Sequence, residues 1–82
     1  MIKRKKLLLV EDDEIILSTL CELLVSSDEF YLAQAMTCKE VDLLLQDKHF
    51  DLMILNPGLL KGRVKNYLDT ISRMGFSGPI IF

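Results

Sequence analysis

The sequence predicts an α/β protein with an open parallel sheet and helices packed on its faces, in the order βαβαβαβ. Three observations carry this. Leu7-Leu8-Leu9-Val10 and Leu52-Met53-Ile54-Leu55 are short continuous apolar runs, as strands covered on both faces should be. The segments that follow such runs place apolar residues at three- and four-residue spacing, the mark of one-sided helices. Strand and helix patterns then alternate along the chain, which implies right-handed βαβ units and parallel pairing.

Residues 1–6 form a basic lead-in, Met-Ile-Lys-Arg-Lys-Lys, that reads as a solvated terminus. The first strand, residues 7–10, ends in Glu11-Asp12-Asp13. The first helix runs from about Glu14 to Ser26, with Ile16, Leu17, Leu20, Leu23 and Leu24 as its buried stripe. Phe30 to Ala35 is the second strand, and its mixed polarity at Tyr31 and Gln34 suggests a sheet edge. Thr37 and Glu40 form a capping box that opens a helix reaching about Lys48, with Val41, Leu44 and Leu45 inward. Leu52 to Leu55 is the third strand. Asn56-Pro57-Gly58 ends it: Pro57 lacks an N–H, and Gly58 permits a positive φ. A loop over 57–62 feeds a third helix over about 63–74, with Val64, Tyr67, Leu68, Ile71 and Met74 on its apolar face. Gly75-Phe76-Ser77-Gly78 stops it, and Pro79-Ile80-Ile81-Phe82 reads as a fourth strand.

Eighty-two residues make one small domain, half hydrophobic and about a quarter charged, hence globular. A net charge of −2 gives no general attraction to nucleic acid or to an anionic membrane. No apolar run approaches the roughly 18 residues of a membrane span, and the four apolar residues after the basic lead-in are too few for a signal peptide. Cys21 and Cys38 are too few for a disulfide framework and fall in predicted helices, so they are expected to be reduced and the protein cytoplasmic.

Two places carry chemistry. In an open α/β sheet, ligands bind beyond the carboxyl ends of the strands, and Asn56 stands at such an end. The acids Glu11, Asp12 and Asp13 stand at another, where they repel one another unless compensated. Asp13 and Glu14 suit a helix N-terminus. Glu11 and Asp12 precede the cap and suit a hard divalent cation such as Mg²⁺. These two readings of the cluster are evenly balanced on the residues alone. His49, the single histidine, lies in a polar turn and reads as a surface residue. Gly58-Leu59-Leu60-Lys61-Gly62-Arg63 enters a helix and offers an anion backbone N–H groups, Lys61 and Arg63, but it is one residue short of a P-loop and lacks the Lys-Ser/Thr pair, so a solvated loop is the preferred reading.

Together these residues resemble a response-regulator receiver domain of two-component signalling. The resemblance covers essentially this whole chain and about the first two thirds of a receiver. It rests on Leu7-Leu8-Leu9-Val10-Glu11-Asp12-Asp13, on Asp51-Leu52-Met53-Ile54-Leu55 with Asn56, and on Pro79-Ile80-Ile81-Phe82. The resemblance implies a flavodoxin-like fold with strand order 2-1-3-4-5. It makes Glu11 and Asp12 the metal-binding acids and Asn56 the phosphoacceptor-equivalent position. The departures are an amide in place of the acceptor aspartate, Pro57 immediately after it, a loop about two residues short, and no switch hydroxyl or fifth-strand lysine. A neutral amide oxygen is a poor nucleophile, so no phosphoryl chemistry and no enzymatic activity are expected. Deamidation does not readily restore the acid, because Pro57 lacks the N–H of the usual succinimide route. The remaining Glu11, Asp12 and Asn56 oxygens are expected to hold Mg²⁺ weakly at most.

The expectation is thus a single receiver-like domain over 1–82, incomplete at its C-terminus, whose fourth strand is an edge and whose apolar strand residues 7–10, 52–55 and 80–82 are partly uncovered. Its expected function is that of a degenerate receiver acting by protein–protein binding, with a histidine kinase, a regulator or a second copy as partner. Homodimerisation or domain swapping would cover the open surface. The alternatives are a conventional phosphorylatable receiver and a structural half-domain that assembles as a homodimer.

Overall fold

The computed structural model describes residues 4–82. The described chain forms β1 (Lys5–Val10), α1 (Glu14–Ser26), β2 (Phe30–Ala35), α2 (Cys38–Asp47), β3 (Leu52–Leu55), a 3₁₀ turn (Pro57–Leu60), α3 (Val64–Arg73) and β4 (Ile80–Ile81). The four strands make one sheet in the order β2-β1-β3-β4, and every pairing is parallel. This matches the first four strands of the flavodoxin-like order. β2 is an edge, as its composition predicts.

The handedness of the crossovers decides where the helices go. The chain steps from β1 outward to β2, then reverses to place β3 and β4 on the other side of β1. Right-handed connections in opposite directions put α1 on one face and α2 with α3 on the other. Leu8, Val10, Met53 and Leu55 accordingly pack with Val41 of α2 and Ile71 of α3 in the main core. On the opposite face, Leu9, Ile54 and Leu20 of α1 line one cleft.

β1 is the centre of this arrangement. Leu7, Leu8 and Leu9 are 0% exposed and Val10 is 1% exposed. Each such side chain contributes about 1.5–3 kcal/mol by leaving water. The expectation of open surface along residues 7–10 is therefore overturned, because α1 covers that part of the face. It holds further out: Leu52 and Ile54 are half-buried, and Ile81 and Phe82 are exposed.

The helix boundaries follow local chemistry. Asp13 caps α1, its Oδ1 accepting from the N–H groups of Ile15 at 2.9 Å and Ile16 at 3.1 Å. Thr37 caps α2 through the Glu40 N–H, while the Glu40 carboxylate reaches back to the N–H of Met36, one residue before the position an ideal capping box would use. α3 ends in a Schellman motif: the Phe76 N–H donates to Ile71 O and the Gly75 N–H to Ser72 O, both at 3.1 Å. Gly75 supplies the positive φ of 98°, and Phe76 and Ile71 meet in the core. The α1 stripe is narrower than its periodicity suggests. Leu17 is buried, and Leu20, Cys21 and Leu24 are half-buried. Ile16 and Leu23, expected inside, are 47% and 64% exposed. They lie to the side of the strip of helix that faces the sheet.

Gly78 marks the tightest backbone approach. A Cβ there would lie 2.1 Å from the carbonyl oxygen of Asp51, at the entry to β3. At Gly62, where φ is +83°, a Cβ would meet nothing within 4 Å. Gly78→Ala is therefore expected to cost about 3 kcal/mol, the upper end of overpacking. Gly62→Ala is expected to cost only the left-handed backbone penalty of about 1 kcal/mol. Urea denaturation of both variants measures the difference, and equal losses would contradict the close approach.

Candidate functional site

The site forms where the strand order reverses, at the carboxyl ends of β1 and β3. The pairing of these strands fixes it. Val10 lies opposite Leu55, and the Asn56 N–H continues the ladder to Val10 O at 3.0 Å. On the other side of β1, the Glu11 N–H donates to Ala35 O at 3.0 Å. Glu11 and Asn56 are thus held as neighbours by backbone before their side chains interact.

Their side chains then make one contact that defines the site. Asn56 Nδ2 donates to Glu11 Oε2 at 2.9 Å. The other end of the same amide, Oδ1, accepts the Gly58 N–H at 3.0 Å. A carboxylate can only accept and a backbone N–H can only donate, so both neighbours require this orientation of the amide. Glu11 Oε2 also accepts the Asp13 N–H at 3.2 Å. Glu11 is only 7% exposed, yet its carboxyl is held below its ordinary value. The Asn56 hydrogen bond is the main cause, opposed by burial and aided by the backbone at Asp13.

Gly58 serves differently from the sequence expectation. It is not among the residues with positive φ; Lys61 and Gly62 hold those values, at 50° and 83°. Gly58 instead lets the 3₁₀ turn pass close to the Asn56 side chain, since a Cβ there would lie 3.2 Å from Oδ1.

The acidic cluster divides into separate roles. Asp13 is the α1 cap, Glu11 is engaged by Asn56, and Asp12 is exposed. Asn56 turns its N–H toward Glu11 and its oxygen toward Gly58, so this arrangement does not present the amide oxygen beside the Glu11 carboxylate for a shared cation. Among the described residues no three His, Cys, Asp or Glu side chains converge as a metal-binding group. A divalent ion here would rest on Glu11 and Asp12. His49 lies away from the site, exposed, 3.7 Å from Asp51. Cys21 and Cys38 are free thiols.

Beside Glu11 and Asn56 opens a cleft of about 320 Å³, walled by Leu9, Leu20, Ile54, Pro57 and Phe82. The sequence pointed to none of these as site residues. Their link to Asn56 depends on α1 and β4 arriving at the same end of the sheet. Among the described residues no helix is long and apolar enough to cross a membrane. Protein-family profiles, curated proteins and solved structures give no match to this chain.

The depressed Glu11 value fixes the sign of a pH effect. Its folded value lies below the ordinary 4.5, so the contact stabilises the fold fully above that value. The contribution is lost as pH falls through the folded value. Asn56→Ala removes the main cause of the depression. Its stability is expected to fall less steeply than that of the parent chain as the medium is acidified, as read from urea denaturation across the acid range. Parallel acid profiles would show that the amide does not set the Glu11 titration.

Proposed function

We propose that this chain is a receiver-like signalling module of two-component phosphorelay signalling, degenerate at its acceptor position, that acts in the cytoplasm by binding another protein without phosphoryl transfer and without enzymatic activity. The observation that carries this reading is the Asn56 amide at the carboxyl end of β3, donating to Glu11 at 2.9 Å. At that position the resemblance calls for a nucleophilic carboxylate. An amide oxygen that already accepts the Gly58 N–H has neither the charge nor the freedom to attack phosphorus. The same contact gives Glu11 a neutral donor in the place where a metal ion would otherwise offset a carboxylate pair. Mg²⁺ is then at most weakly held, by Glu11 and Asp12. The partner class follows the resemblance: a histidine kinase or another regulator.

Self-association is the second reading, favoured by a specific observation. Ile15 on α1 is 78% exposed, Leu23 64%, Val25 63% and Phe82 59%. Apolar surface of this kind invites a protein contact, and a second copy is the simplest one. Light scattering during size exclusion at several concentrations distinguishes a folded monomer from a dimer.

Two experiments test the main reading. Intact mass after incubation with a small acyl phosphate and Mg²⁺ is expected to be unchanged, and the gain of one phosphoryl group would overturn the proposal. Asn56→Asp replaces the hydrogen bond by two facing carboxylates. It is expected to lose about 1–3 kcal/mol in the absence of divalent ions. Millimolar Mg²⁺ is expected to restore most of that loss while barely moving the parent chain. Equal stabilisation of both by Mg²⁺ would mean that the amide does not take the cation's place.

A further inference from the structure

We propose that the cavity between the N-terminal end of α2, the 3₁₀ turn and α3 binds a small organic anion with an apolar body. The cavity measures about 500 Å³, inside the range of about 300–1,000 Å³ typical of small-molecule sites. It is separate from the Glu11–Asn56 site, and the proposal does not depend on the receiver reading.

The lining has the chemistry of such a ligand. Lys61 and Arg63 are its charged members, and no carboxylate lines it. Among the described residues the ion pairs are Arg4 with Asp28 and His49 with Asp51, and no described carboxylate pairs with Lys61 or Arg63. Two unpaired cations at one cavity mouth raise the local concentration of anions. The body of the ligand meets Leu59 and the ring of Tyr67, both of which pack against the core. The Tyr67 hydroxyl is buried beside Cys38 and Asp42, whose Oδ1 is buried without a hydrogen-bond partner. The ring, not the hydroxyl, is therefore the surface that Tyr67 offers. Asn66, on α3, adds a polar group to the wall.

Lys61, at the mouth, is the C-cap of the 3₁₀ turn. Lys61 is left-handed, with φ 50° and ψ 48°, and is exposed. That conformation costs a residue with a side chain about 1–2 kcal/mol.

Cys38 lines the cavity and Cys21 lies on α1 outside it, so the two thiols make a built-in comparison. The test is the rate of iodoacetamide alkylation at each, read by peptide mass spectrometry, with phenyl phosphate as the probe. Phenyl phosphate at ten times its Kd is expected to slow Cys38 about tenfold by mass action and leave Cys21 unchanged. Backbone amide NMR shifts are expected between Leu59 and Thr70. Phenol and inorganic phosphate, each carrying half of the ligand chemistry, are expected to protect far less. Lys61→Asn with Arg63→Gln, in which Asn tolerates the left-handed backbone, is expected to abolish protection while an unchanged Cys21 rate reports an intact fold. Neither protection nor shifts with phenyl phosphate would overturn the proposal. So would equal protection by phenol or by inorganic phosphate, or undiminished protection in the double variant.

Discussion

Everything in this molecule depends on β1 having a parallel neighbour on each side. A strand buried to 0–1% exposure along residues 7–10 has no face for water, so its polar backbone must be satisfied by β2 and β3. That requirement, with the right-handed rule for crossovers, sends α1 to one face and α2 and α3 to the other. It also leaves the crevice between the ends of β1 and β3 without a helix over it. Glu11 and Asn56 meet there because the backbone has no other place for them.

The side chain at residue 56 then sets the chemistry of that crevice. A carboxylate at residue 56 would repel Glu11 and call for a cation between them. The amide supplies a donor of its own, fixed from behind by the Gly58 N–H. The pair is complete without an ion, and Glu11 keeps its charge despite burial. An amide at residue 56 offers no nucleophilic carboxylate and, by donating to Glu11, no carboxylate pair for a cation to offset. This is why a protein-binding role is a more economical reading than weakened catalysis.

The fold was legible because its signals are local and repeated. Continuous apolar runs, the Asp13 and Thr37 caps and the Gly75 stop each specify their own element, and alternation specifies the sheet. The limits of that reading are tertiary. Periodicity could not tell that α1 contacts the sheet along a strip too narrow to include Ile16 and Leu23. Nor could it tell that β1 stays covered where open surface was expected. At the site, Asn56 and Glu11 were both visible as residues of interest, but as oxygen ligands for one ion. The direction of the amide depends on the Gly58 N–H, and so on a 3₁₀ turn that Asn-Pro-Gly only suggests. Gly58 permits a positive φ, but in this turn Lys61 and Gly62 adopt it; a glycine chosen for close approach and one chosen for backbone freedom look alike in sequence.

That 3₁₀ turn runs from the Glu11–Asn56 pair to the cavity lined by Lys61 and Arg63. It begins at Asn56, whose backbone oxygen accepts the Leu59 N–H at 3.2 Å, and it ends against the left-handed Lys61. Leu60 is buried in the core between them. Leu60, the last residue of the turn, anchors it to the core directly before Lys61. The backbone that fixes the Asn56 amide and the backbone that carries Lys61 are thus parts of one short turn.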